Sequence, residues 1–269
     1  MLRQRIFTTA MLAPLFLAAV GYLPNPFLAG LFGLIILIGA WELSRLVQLN
    51  QQPQQSLYLI SLAVAMLVMY HISQPAIIFS LQIITTLCWA SITLWALYRR
   101  RPLTKVSNRR PRILISGTFA LLITWISLVQ LHQTAGVIWL FGLFILIWSV
   151  DIGAYFTGRQ WGKRRISPQI SPGKTWAGAF GAMAAATLYA IGFSLWQAVP
   201  LVYMILFSYV VTWLSIGGDL AESVLKRQAS VKDSSNLLPG HGGILDRIDS
   251  LLAAAPAYTL GISLLGLTT

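Results

Sequence analysis

The chain has 269 residues, 57% of them hydrophobic and only 10% charged, with a mean hydropathy of +0.72. That composition excludes an ordinary soluble domain and indicates a protein built into a membrane. The net charge of +12 invites a nucleic-acid partner, but the cations are placed as a membrane protein places them, and no nucleic acid is expected.

In chain order, nine apolar segments approach the roughly 20 residues needed to cross the hydrocarbon core: 6–23, 27–43, 57–73, 77–97, 113–131, 137–156, 176–196, 199–216 and 251–267. Helices are the expected form, because lipid offers no partner to an unpaired backbone group; the alternating segments of a membrane barrel are absent. The first segment follows Arg3 and Arg5 and reads as a retained helix, since "GYLPNP" offers no small-residue cleavage site. The expected fold is thus an all-α polytopic membrane protein of about nine transmembrane helices in one membrane domain. Residues 1–135 form a lipid-facing scaffold and 136–269 a catalytic half. Cys88 stands alone, which rules out an internal disulfide.

With the N-terminus cytoplasmic, all 19 Lys and Arg residues fall on the cytoplasmic side, while the opposite loops "PNP", "QPA", "HQTAG" and "QAVP" carry none. The positive-inside rule then puts the C-terminus on the far side and the protein in the cell (inner) membrane. The basic run 99–112 reads as a topology anchor that also meets anionic headgroups. Small residues four apart in the seventh segment, among them Ala177, Gly181 and Ala185, predict close helix packing around a site or at a dimer contact.

Acids are scarce. Of seven, Glu42 reads as a solvated helix-end charge, whereas Asp151 lies inside an apolar segment and must be paired, hydrated or at a site. The other five fall within 219–249. Asp219, Glu222, Ser223 and Lys226 share one helix face, as do Asp246 and Asp249. These carboxylates can converge on a hard divalent cation such as Mg²⁺, or they can be plain surface charges at helix ends. "PGHGG" immediately before the last helix favours a site, since glycines allow close approach and a helix N-terminus offers N–H groups to a phosphate. His241 there can donate to a phosphate or shuttle a proton, or be a solvated loop residue. Upstream, "GKT" looks like the end of a P-loop, but Pro168 stands where that motif requires glycine. Carboxylates, glycines and cations facing one side of a bilayer suit phosphoryl or nucleotidyl transfer onto a lipid.

The residues from Asp151 to Asp249 resemble the phosphatidate cytidylyltransferases. The likeness rests on Ser223, Lys226, Arg227, Lys232, Asp233, Pro239, His241, Gly242, Gly243, Asp246, Arg247 and Asp249, with "DIGAYFTGRQWGK", "SPGKTWAG" and "GDLAES" upstream. It implies that CTP and phosphatidic acid form CDP-diacylglycerol and pyrophosphate, with Mg²⁺ required, a second, monovalent cation such as K⁺ allowed, nine helices and a homodimer. By position it implies Asp219, Asp246 and Asp249 as metal ligands or their supporters, and Lys226, Arg227, Lys174 and Arg247 as neutralisers of triphosphate or lipid phosphate. His241, Gly242 and Gly243 would shape the phosphate pocket, with Lys226 and His241 among the catalytic groups. Arg159, Ser171, Thr175, Ser223, Lys232 and Asp233 would complete the substrate contacts. The alternatives are a CTP-dependent lipid kinase of polyprenol or phytol type, and an anion transporter; the gathering of polar groups at one face rather than mid-membrane disfavours the transporter. A reporter fused after Thr269 is expected to register the non-cytoplasmic side, and a cytoplasmic signal would overturn the nine-helix count.

Overall fold

The computed structural model describes residues 2–49, 51–72, 74–98, 110–238, 240 and 242–267, without the side chains of 2–9, 12 and 72. His241, Pro239, most of the basic run 99–112 and Thr269 lie outside them. The helices are α1 (Leu2–Tyr22), α2 (Asn25–Leu46), α3 (Gln52–Ile72), α4 (Pro75–Tyr98), α5 (Arg110–Trp161), α6 (Trp176–Gln197), α7 (Leu201–Gln228) and α8 (Leu245–Leu264). Between α5 and α6 lies an antiparallel hairpin, β1 (Arg165–Ser167) and β2 (Ser171–Thr175).

Among the described residues, six helices, α2 to α7, are long and apolar enough to cross a membrane. The protein is therefore an all-α polytopic membrane protein with one small hairpin. Its outside stays apolar: Leu57, Ile60, Val64 and Leu67 of α3 are exposed, as lipid-facing side chains are.

Helix α5 has 52 residues and would be about 78 Å long if straight. It turns instead at Gly136, whose φ of +82° is open to glycine and costly for most side chains. The fifth and sixth apolar segments of the sequence are its two arms. The break between the expected scaffold and catalytic halves falls at that same turn.

Helix α8 is not among the six, because Asp246, Arg247 and Asp249, with Ser250, Pro256, Tyr258 and Thr259, lower its hydropathy. It has no need of a greasy surface, since α5, α7 and α4 surround it and Ala253, Ala254, Ala255 and Tyr258 have no exposed area. Polar links between helices replace water as partners: the Thr124 hydroxyl donates to the Leu252 carbonyl at 3.1 Å, the Trp125 ring N–H to Ala29 at 2.9 Å, and the Tyr189 and Tyr258 hydroxyls pair at 3.0 Å.

Glycines set the spacing around the site. A Cβ on Gly153 would stand 2.7 Å from the Gly181 carbonyl oxygen and 2.8 Å from the Ala185 Cβ, so the small-residue row of α6 seats the second arm of α5 within one chain. A Cβ on Gly218 would overlap the Asp249 carbonyl oxygen and approach Ala253 to 3.2 Å, so α7 meets α8 backbone to backbone beside Asp219. Gly218→Ala should cost about 1–3 kcal/mol by overpacking, read as a lower melting temperature with reduced turnover. Gly192→Ala, where nothing lies within 4 Å, should leave both unchanged.

Candidate active site

One cleft of about 360 Å³ gathers much of the expected chemistry. It is lined by Asp219 from α7, by Asp246, Arg247 and Asp249 from the start of α8, by Lys174 and Thr175 from β2, and by Asp151 and Tyr155 from α5. With Ile166 of β1 and Gly178 of α6 completing the wall, six elements meet there, drawn together by the close helix approaches at Gly153, Gly178 and Gly218. Four carboxylates thus face one space with two cations, Lys174 and Arg247.

Lys174 is aimed by the hairpin. Buried Ile166 and Ile170 anchor the two strands, and the Lys174 ammonium lies 2.5 Å from an Asp219 oxygen while donating to the Ile216 carbonyl at 3.3 Å. The "GKT" run is therefore a strand running into a helix cap: Thr175 accepts the Gly178 N–H at 3.1 Å and starts α6. Asp249 feels Asp219 and Glu222 as like charges and Lys174 as the opposite one, and its Oδ1 accepts the Ser250 N–H at 2.7 Å. Asp151 feels Asp219, Lys174 and Arg247 in the same way.

Asp246 is differently placed. Oδ1 takes the Lys226 ammonium at 2.5 Å; Oδ2 takes the Gly243 N–H at 2.8 Å and the Ser234 N–H at 2.9 Å, and lies 2.9 Å from the Ser234 hydroxyl, whose single proton it shares with Glu42. Burial alone would raise its pKa, yet Lys226 and these N–H donors hold it at about 2. Lys226 also lies 2.5 Å from an oxygen of buried Glu222, one turn earlier on α7. Lys226 is thus an internal bridge between α7 and α8.

Glu42 corrects the sequence reading most. Expected in solvent, it has no exposed area. Oε1 accepts the Ser235 hydroxyl at 2.5 Å and the Ile244 N–H at 3.0 Å; Oε2 accepts the Ser234 hydroxyl at 2.9 Å and the Leu245 N–H at 2.6 Å. A buried carboxylate from the supposed scaffold half thereby caps α8 and ties down the loop before it. Gly243 is required here because a Cβ would stand 2.5 and 2.6 Å from the Glu42 oxygens. The N–H groups of Gly243, Ile244 and Leu245, expected to await a phosphate, are already bonded to Asp246 and Glu42.

The remaining expected residues sit around the cleft rather than in its wall. Arg159 is exposed and donates to the Tyr155 hydroxyl at 3.1 Å. Arg227, Lys232 and Asp233 are exposed, Ser171 is half-buried and Ser223 is buried. The Gly242 carbonyl accepts the Leu238 N–H at 2.9 Å. Among the described residues, no three acids, histidines or cysteines are grouped closely enough to hold a metal ion as placed. The signal for Glu42 was present in the sequence: an acid inside the apolar run "GAWELS" of a chain with only seven acids.

The model of the cytidylyltransferase family matches residues 3–265. The phosphatidate cytidylyltransferase of Pseudomonas aeruginosa is 39% identical over 264 residues, covering 96% of each chain. That of Haemophilus influenzae is 32% identical over 283 residues, covering 96% of this chain and 98% of the relative. That of Bacillus subtilis is 46% identical over 123 residues, 45% of this chain and 46% of its own. Glu42→Gln, which keeps the shape but loses the charge and one acceptor, should cost about 3 kcal/mol and lower turnover at least about tenfold. Glu42→Asp should recover part of both, measured by thermal unfolding and by initial rates in one detergent.

Proposed function

The chain belongs to the cytidylyltransferase family, and we infer that it is the enzyme that joins the cytidylyl group of CTP to phosphatidate, forming CDP-diacylglycerol and pyrophosphate. The observation that carries this reading is the cleft itself, where acids and cations from four elements, α5, β2, α7 and α8, meet at the ends of apolar helices. A lipid phosphate reaches such a place without leaving the bilayer, and a nucleotide reaches it from water.

In the reaction, an oxygen of the phosphatidate monoester forms a bond to the α-phosphorus of CTP. The bond from that phosphorus to the bridging oxygen breaks, and pyrophosphate carries the electron pair away. The attacking group is already an anion near neutral pH, so positioning and charge neutralisation are the protein's main contributions. Lys174 and Arg247 supply positive charge inside the cleft, and the first turn of α6 borders it with the positive end of the helix dipole. Tyr155 and Thr175 offer hydroxyls to the same space.

Four carboxylates against two cations would repel a triphosphate if left uncompensated, and all four are hard oxygen donors of the kind that suit Mg²⁺. Asp219 and Asp249 would hold the ion, with Asp246 beside them as an organiser of the loop, since its oxygens already meet Lys226, Ser234 and Gly243. When bound, a divalent cation supplies charge neutralisation for the phosphates. A monovalent cation such as K⁺ could share the acid-rich wall.

The finer topology belongs to the same proposal. Nine transmembrane helices follow if α1, both arms of α5 and α8 each cross the bilayer. The one-sided cations then orient the N-terminus and the cleft to the cytoplasm of the inner membrane, with the C-terminus opposite. A homodimer is proposed from the family resemblance alone.

CTP labelled at the α-phosphate should give a labelled lipid with this protein, whereas a lipid kinase would label the lipid only from the γ-phosphate. Asp249→Asn should lower Mg²⁺-dependent turnover at least about a hundredfold with membrane insertion intact. Chelation of divalent cations should abolish wild-type activity until Mg²⁺ is restored. Wild-type-like turnover of the variant would remove Asp249 from the metal assignment.

A further inference from the structure

Two apolar cavities flank α8, and they differ in charge. One, of about 320 Å³, lies between α4, the first arm of α5, α7 and α8; its one charged lining side chain among the described residues is Glu222. The other, of about 170 Å³, lies between α1, α2, α5 and α8. Its walls include Phe16, Phe32, Ile35, Phe144 and Trp148, and its one charged lining side chain among the described residues is Arg247.

Arg247 lines this second groove and the carboxylate cleft alike. Around it α8 divides its neighbours: Asp246, Asp249 and Ser250 face the cleft, while Ile248 and Leu251 face the groove. Arg247 thus stands where an apolar channel meets a polar reaction space. Arginine is well suited to that place, because its planar fork matches a phosphate and its stem tolerates apolar walls. An anionic lipid has the complementary layout, a phosphate attached to hydrocarbon. The larger cavity offers a phosphate no Lys or Arg among its described lining residues.

We propose that phosphatidate reaches the cleft through the α1–α2–α5–α8 groove, with one acyl chain against Phe16, Phe144 and Trp148 and its phosphate on Arg247. The inference rests on the lipid cytidylyl-transfer reading and extends it: Arg247 serves the lipid phosphate, and Lys174 is left to the nucleotide. Edge-to-face packing of Phe16 on Phe144, with ring centroids 5.1 Å apart, and stacking of Phe144 on Trp148 at 6.1 Å make the wall a continuous aromatic surface suited to an acyl chain.

The test uses full-length wild-type protein in lipid nanodiscs with phosphatidate carrying a photoactivatable diazirine in one acyl chain, irradiated without CTP. Adducts on Phe16, Phe144 or Trp148 are expected; adducts on Trp89 or Ile92 of the other cavity would overturn the proposal. In steady-state assays, Ile35→Trp, which fills the groove, should raise the KM for dioleoyl phosphatidate about tenfold, as losing roughly two buried methylenes would. The KM for CTP should stay within about twofold, as uniform loss of lipid binding requires. Arg247→Gln should likewise raise the phosphatidate KM, and a selective rise in the KM for CTP would instead assign Arg247 to the nucleotide and overturn the proposal. Failure of wild type to transfer the α-label would sink the functional reading; normal transfer with adducts in the other cavity would sink the groove alone.

Discussion

The polar loop before α8 hangs from one buried carboxylate, Glu42. Glu42 has no exposed area and four donors, so the cost of removing a charge from water is offset by hydrogen bonds that nothing else in the fold could supply. Those bonds end α8 cleanly and pin Ser234 and Ser235. Ser234 in turn contacts Asp246, and Asp246 contacts Lys226. A chain of charge-assisted contacts therefore runs from α2 through the loop to α7, and the cleft is its outer face.

Close packing does the complementary task. Hydrophobic attraction between helices is weak inside a bilayer, so backbones must approach closely for dispersion and hydrogen bonds to hold them. Gly153, Gly181 and Gly218 permit that approach on both sides of the cleft. The same tightness crowds Asp151, Asp219 and Asp249 into mutual range. Such a concentration of like charge is stable only with counter-charge nearby, and Lys174 partly provides it. The acid-rich wall is thereby kept ready for cations and phosphates.

Much of this was legible in the residues. The apolar runs map onto the helices because lipid forces backbone pairing within each segment, and the late acids do meet across α7 and α8. The turn at Gly136 was legible too, as the end of the polar loop "HQTAG" between the fifth and sixth apolar runs. One feature was not legible and another misled. The hairpin that aims Lys174 is too short for strand periodicity to register. Glu42 misled because an acid at a helix end is ordinarily solvated; only the fold shows that the α8 N-terminus comes to rest on top of it, and that the N–H groups of Gly243, Ile244 and Leu245 are spent within the protein.

The Glu42 latch also has a consequence for biosynthesis. Its partners lie 192 to 203 residues further along the chain, among the last parts to be made. At about 5–20 residues per second, roughly 10–40 s pass between synthesis of the acid and arrival of its donors. Throughout that interval α2 carries an uncompensated carboxylate that favours the water-facing edge of the bilayer over the protein interior. A nascent chain that stops short of Ser234 therefore lacks every donor that Glu42 meets in the folded protein.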